Sequence, residues 1–358
     1  MIDSNLYCVV MAGGQGTRFW PESTVKKPKQ YLSLIQDESL LRQTLRRFED
    51  LVGRERRFIV TTQDQKQLAL EHSQGLVGDE AMIFEPAGRN TAPCILLTLA
   101  SLLQKGMRDE DVVAIVPSDH VILNKQGFQD SLKQGFEDAV KYESIVTIGI
   151  KPNFPHTGYG YIEEGEALHS RCHRVKKFKE KPDFETAKSY VERGDHYWNS
   201  GMFIARLDVL LEQFKDLAPG LFEHFAELKE NLDNPERLRL VYEKLEKVSI
   251  DYAVMEKSQK VVVEPALFDW NDLGSWDALE SVCRPDEQGN TVVSTPHSYI
   301  EGSKGNIVFS PEQFVSLVDV NDLVVAITED GVLVSSKKSA QKVKNIVQYL
   351  KGLESDKS

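Results

Sequence analysis

The segment Met11-Ala-Gly-Gly-Gln-Gly-Thr-Arg18 follows an apolar, β-branched run. Its glycines let backbone N–H groups wrap a polyphosphate, because no Cβ stands in the way. Shortly after come Lys26, Lys27 and Lys29, with Pro28 setting the backbone ahead of Lys29. Cations fixed beside backbone donors suit a triphosphate. Two familiar phosphate loops can be tested and both fail. No G-x-x-x-x-G-K-[ST] string occurs, and a G-x-G-x-x-G fingerprint begun at Gly14 and Gly16 meets Phe19 where its third glycine belongs. Taken alone, the loop also reads as a plain strand-to-helix turn beside a solvated basic patch.

Asp119 ends the most apolar run, DVVAIVPSD. That places its carboxylate in the crevice beyond the carboxyl ends of the strands, although an Asp after a strand is also a common cap. His120 follows it directly. A histidine beside a carboxylate could be taken for a general base, but His120 reads as structural or as a support behind the site. The other histidines show no ligand spacing. Cys8, Cys94, Cys172 and Cys283 are widely spaced with no C-x-x-C pair, which predicts neither a zinc site nor a disulfide framework.

These groups need elements to position them. Short β-branched runs at 6–12, 57–62, 81–86, 111–120 and 144–150 alternate with helical spacing at 39–51, 64–74, 92–105 and 126–141. Such alternation implies a parallel sheet covered on both faces. After residue 150, YGYIEE, RVKKFKEKP and WNSGMFIAR read as extended segments among helices near 183–194, 207–231 and 235–247. This is the pattern of a substrate-binding half built onto a nucleotide half. RPDEQGNT (284–291) is polar and turn-rich, and short strands follow, closing with a helix at 338–351 whose Val343, Ile346, Val347 and Leu350 share one face. The expected domains are therefore 1–284 and 285–358.

Composition narrows the field. The 358 residues carry 43 Lys+Arg against 55 Asp+Glu, a net charge of -12, with 41% hydrophobic residues. Disorder as the main state is excluded, and nucleic acid is disfavoured as a partner. The start, Met-Ile-Asp-Ser-Asn, lacks the basic and apolar regions of a signal peptide. Ala92 to Leu103 is too short to span a bilayer. No membrane association and a cytoplasmic location are expected. Locally the charge inverts: residues 18–29 net +3 and residues 174–181 net +4.

GGQGTRFWP with KPKQYLSL resembles the signature of sugar-phosphate nucleotidyltransferases, most closely the mannose-1-phosphate guanylyltransferases. PAGRNTAP, PSDH, TGYGYI, FKEKP, YWNSGMF and WNDLGSWDAL follow in that family's order, so the resemblance covers nearly the whole chain. It implies a Rossmann-like, doubly wound mixed sheet, with a small β-rich or short, irregular β-helical C-terminal domain ending in a helix. It also implies attack of mannose 1-phosphate on the α-phosphorus of GTP, in line, giving GDP-mannose and pyrophosphate. Positioning and charge neutralisation carry such a reaction, with no protein nucleophile.

The resemblance assigns roles. Arg18 and Lys29 stabilise the triphosphate and leaving group. Ala12, Gly13, Gly14, Gly16, Thr17 and Ser118 hold the nucleotide, and Asp119 and Asp272 hold Mg²⁺ or another divalent cation. Glu85, with Asn90 and Thr91, falls in the base and ribose region, and Glu85 is the candidate acceptor for the guanine edge. Caps for Asn90 and Thr91, an N-cap for Asp272 and an ion pair of Glu85 with Arg89 are the plain alternatives. Lys181 takes the sugar phosphate, Glu180 and Asn199 the sugar hydroxyls, and Gly160 lets backbone approach the sugar. Lys179 and Asn271 depart from the family pattern without removing a charged catalytic group.

Two other readings stand beside this one. They are a transferase for another hexose 1-phosphate, such as a glucose thymidylyl- or uridylyltransferase, and a catalytically silent regulatory homologue. The length leaves no room for the extra isomerase domain that some members carry, so a monofunctional enzyme is expected. A homodimer is an expectation of the resemblance alone.

Overall fold

The computed structural model describes residues 6–14 and 16–355; Gln15 of the glycine loop and the first five residues lie outside the described set. By contacts the chain forms two compact units. The first comprises Met1–Gly13, Leu45–Pro117 and Ile122–Asp269, and the second Gly14–Thr44, Ser118–Val121 and Trp270–Ser358. These units interleave along the sequence, whereas 1–284 and 285–358 divide it once.

The first unit is built on a nine-stranded mixed sheet. Its strands are β1 (Leu6–Met11), β2 (Arg57–Thr62), β3 (Met82–Glu85), β4 (Val112–Pro117), β5 (Ile145–Ile150), β6 (Tyr161–Ala167), β7 (His173–Lys179), β8 (His196–Arg206) and β9 (Val261–Pro265). They lie in the order β3-β2-β1-β4-β8-β5-β9-β7-β6. β3, β2, β1 and β4 run parallel, and β8 is antiparallel to both β4 and β5. Every residue of β2 and of β5 is buried, as expected for strands covered on both faces. The predicted helices form as α1 (Leu40–Arg47), α2 (Lys66–Ser73), α3 (Thr91–Gln104) and α4 (Lys125–Tyr142). α4 packs on β4, β5, β8 and β9. Together with α5 (Phe184–Arg193) this is the α/β, doubly wound architecture expected.

The helix expected over 207–231 is divided. α6 (Leu207–Leu217) ends before Pro219, which opens α7 (Pro219–Phe222), and α8 (Phe225–Glu230) follows. Proline lacks the N–H that continuation requires and is favoured at a helix start. α9 spans Pro235–Tyr242.

The second unit contains β10 (Thr291–Val293), β11 (Ser298–Glu301), β12 (Ile307–Phe309), β13 (Val315–Val318), β14 (Leu323–Thr328) and β15 (Gly331–Ser336), then α10 (Val343–Ser355). β10, β12 and β14 stack in parallel, and so do β11 and β13. The chain thus winds between two parallel ladders, a short β-coil. Corners repeat from coil to coil: Gly302 and Asp319 are both left-handed, as are Gly305 and Asp322. β15 turns back antiparallel to β14. The core of this unit joins distant sequence: Phe19, Leu32, Leu34 and Leu40 pack with Trp276, Ile307, Phe309, Val324 and Val343. Among the described residues no helix is long and apolar enough to cross a membrane.

Candidate active site

In the second unit, Gly16, Thr17, Arg18, Lys29, Asp119, His120, Asp272 and Gly274 line a cavity of about 350 Å³ together with Lys344. Lys29 sits in a short 3₁₀ turn, Lys29–Tyr31, and is only 5% exposed. A buried ammonium requires partners. Its Nζ donates to Asp119 Oδ2 at 2.9 Å and to the Asp272 backbone carbonyl at 2.5 Å. Burial acts to raise the Asp119 carboxyl pKa, but Lys29 and then His120 outweigh it, so the group is held below its ordinary range. His120 accepts a hydrogen bond at Nδ1 from Trp270 Nε1 at 3.1 Å, with their rings edge-on, in keeping with a structural part.

The glycine loop divides its labour. The Ala12 N–H donates to Val60 O at 2.8 Å and is already spent on the sheet. A Cβ on Gly14 would meet nothing within 4 Å. Gly16 is different. It is left-handed, and a Cβ there would lie 2.0 Å from the Lys29 Cβ. Its missing side chain makes room for the buried lysine. Gln30, 1% exposed, donates to Gly14 O at 2.9 Å and ties the loop down. Thr17 opens a 3₁₀ turn that leaves Arg18 exposed. The Ser118 carbonyl accepts from Thr44 Oγ1 at 3.2 Å, and Ser118 itself is buried.

The remaining candidates lie in the first unit. Glu85 ends β3, is 4% exposed, and accepts from Tyr242 Oη at 2.6 Å. Burial raises its carboxyl pKa, against hydrogen bonds from Tyr242 and Cys94 that oppose the shift. Arg89 does not pair with it through the guanidinium, which donates to the Leu245 carbonyl at 2.9 Å. Asn90 caps α3 through Oδ1, and Thr91 Oγ1 accepts from the Ile250 N–H at 2.8 Å.

Gly160, Glu180, Lys181 and Asn199 come together. Lys181 Nζ lies 2.9 Å from Glu180 Oε1, and a Cβ on Gly160 would lie 2.5 Å from Glu180 Oε2. Asn199 is held on three sides. Its N–H donates to Gly160 O at 2.8 Å, its Nδ2 donates to Asp251 Oδ1 at 2.9 Å, and its Oδ1 accepts from the Gly201 N–H at 3.0 Å. Burial, and then the charge of Glu180, push the Asp251 carboxyl up to about 6. Lys177 and Lys179 are exposed on the strand and Phe178 is buried, the alternation the sequence predicts.

Four side chains that line or brace these places escaped the sequence reading. Lys344 sits on a helix patterned only for docking, Tyr242 within an ordinary helical run, and Asp251 in a π-helical turn. Gln30 stood in plain view beside Lys29, but nothing in its spacing marked it as the loop's anchor. The cavity lining sets three cations, Arg18, Lys29 and Lys344, against two carboxylates. Such a set can neutralise a bound polyphosphate.

The family model for nucleotidyl transferases matches residues 7–289, and that for the mannoseP isomerase/GMP-like beta-helix domain matches residues 300–350. A mannose-1-phosphate guanylyltransferase of Salmonella muenchen is 37% identical over 354 residues, covering 97% of this chain and 74% of its own length. One of Klebsiella pneumoniae is 36% identical over 358 residues, covering 96% and 73%. A crystal structure from Thermus thermophilus, described as a mannose-1-phosphate geranyltransferase, matches with a TM-score of 0.89 at 34% identity, over 97% of this chain and 100% of that one. Likeness of this extent, over both parts of the sequence, makes the chain a member of the mannose-1-phosphate guanylyltransferase family of nucleotidyl transferases.

Proposed function

We propose that the chain transfers GMP from GTP to α-D-mannose 1-phosphate, forming GDP-mannose and releasing pyrophosphate. The observation that carries this reading is the cavity in which Arg18 and buried Lys29 meet Asp119 and Asp272. In the proposed reaction a phosphate oxygen of the sugar phosphate attacks the α-phosphorus. That P–O bond forms as the bond to pyrophosphate breaks, and the electron pair leaves with pyrophosphate. Arg18 and Lys29 stabilise the charge that builds on the leaving group, and Gly13, Gly14, Gly16 and Thr17 shape the loop around the triphosphate.

Asp119 and Asp272 offer oxygen donors in one cavity, the set a hard divalent cation prefers, and so the residues fit Mg²⁺. Bound there, it would supply charge neutralisation between the two anionic reactants. Glu85 reads the guanine edge, with Asn90 and Thr91 on the ribose side. Glu180 and Asn199 take the mannose hydroxyls, and Lys181 takes its phosphate. The division at 284/285, a cytoplasmic location, a homodimer and the absence of nucleic-acid partners belong to the same reading.

The test is pyrophosphate release in a matrix of nucleoside triphosphates and hexose 1-phosphates with Mg²⁺. Turnover is expected in the well holding GTP and mannose 1-phosphate. Silence in every well, or preference for a glucose phosphate, would overturn the reading.

A further inference from the structure

The helix α4, the β6–β7 hairpin and strand β9 bring four unlike side chains to one point in the first unit. Asp138, His169, Cys172 and Glu264 each offer one ligand atom, and these atoms all lie within 4.8 Å of one another. We propose that these four residues form a zinc-type metal site, built from none of the residues proposed for catalysis.

His169 and Cys172 share the hairpin loop at H-x-x-C spacing. The Leu168 and His169 N–H groups both donate to Cys172 O, at 2.8 and 3.3 Å, and hold the two side chains together. This corrects the expectation that no histidine shows ligand spacing: the pair lies within the sequence, but its partners come from far along the chain. A tetrahedral zinc ion with bonds of about 2.0–2.3 Å places its ligand atoms about 3.3–3.8 Å apart. Asp138 and His169 Nε2 are 3.0 Å apart, so small side-chain adjustments bring the set to that geometry.

Charge favours an ion as well. Glu264 is 0% exposed; Arg171 pairs with its Oε1, while Oε2 is buried without a hydrogen-bond partner. Asp138, Cys172 and Glu264 are all buried. Three groups that become anionic thus crowd one buried point. A thiolate and two carboxylates carry three negative charges, which a divalent ion and the Arg171 guanidinium balance, with His169 neutral. On binding, the Cys172 S–H proton leaves to solvent as the sulfur–metal bond forms. Coordination by Nε2 moves the imidazole proton to Nδ1, at the expense of the 3.3 Å contact from the Arg171 N–H. His169 is only half-buried and provides the way in.

The full chain, stripped of metal by a chelator and kept in excess Mg²⁺, is titrated with Co²⁺. One equivalent is expected to bind with intense tetrahedral visible bands and a thiolate-to-cobalt charge-transfer band in the near ultraviolet. An equivalent of Zn²⁺ should displace both. Cys172→Ser should abolish the charge-transfer band, and Cys283→Ser should retain it. Where Cys172→Ser does not fold, His169→Gln should weaken Co²⁺ binding by about tenfold or more. Absence of the band in the wild type, its survival in Cys172→Ser, or unchanged affinity in His169→Gln would overturn the site.

Discussion

Gly16 has no room for a side chain, and the atom in the way belongs to the lysine on which the proposed chemistry depends. Gly16→Ala combines a left-handed backbone that disfavours Cβ with a 2.0 Å collision at Lys29, so Lys29 must move. The expected result is a fall in kcat of about a hundredfold or more, with the fold retained by circular dichroism. Unchanged kcat would dissociate Lys29 from the reaction. Asp251 makes a pH prediction. Its carboxyl releases a proton near pH 6 when folded and near the ordinary 3.8 when unfolded. Between those values the folded state holds more protons, so this group's contribution falls as pH rises from about 4 to about 6 and is then level. Asp251→Asn should therefore gain thermal stability relative to wild type across that window, and a flat difference in melting temperature would contradict it. Residues carrying a distinctive string, such as Arg18, Lys29 and Asp119, could be read because glycine, proline and charge stand close together in sequence. Tyr242 and Lys344 could not, since an aromatic on an apolar helix face and a lysine on a solvated one look like core and surface until the chain is folded.

At the level of elements, the strands and helices of the first half were readable because fully buried strands and amphipathic helices differ in period. The β-coil was harder. Thr291 pairs with Ile307 and Ile307 with Val324, so successive coils hold 16 and then 17 residues and no fixed period is printed in the sequence. What keeps the coils in register is a buried asparagine pair. Asn306, 0% exposed, donates from Nδ2 to Asn290 Oδ1 and to Val320 O, and accepts from the Leu323 N–H. Asn306→Ala strands these groups and is expected to cost about 1–3 kcal/mol for each one left unsatisfied. A clear drop in melting temperature should follow, with kcat little changed at low temperature. A variant as stable as wild type would mean the coils are held by their apolar interior alone.

Across the whole molecule, the C-terminal strands keep one small cluster to themselves, Val308, Val315, Leu317 and Val325, but share the larger one with the N-terminal segment. Val293, Ile307, Phe309, Val324 and Val343 are the neighbours of Phe19, Leu32 and Leu34, which flank the glycine loop and Lys29 in sequence. A fragment ending at residue 284 leaves that N-terminal apolar set uncovered. It should be insoluble or bind a hydrophobic dye strongly, and fail to release pyrophosphate. A soluble, active fragment would show that the loop keeps its shape unaided. The net charge of -12 at first argued only against partners, but the basic segments beside Arg18 and around Lys181 show how little it says about a local site.

The reversal of β15 against β14 has a further consequence. A stack of parallel coils is a template, for its last open strand offers the next chain the same ladder it offered the previous coil. By turning back, β15 presents that edge in the opposite sense and breaks the parallel repeat on the β14 side. A second coil laid on that side finds no parallel ladder to continue, whereas an unreversed coil would invite a fibre.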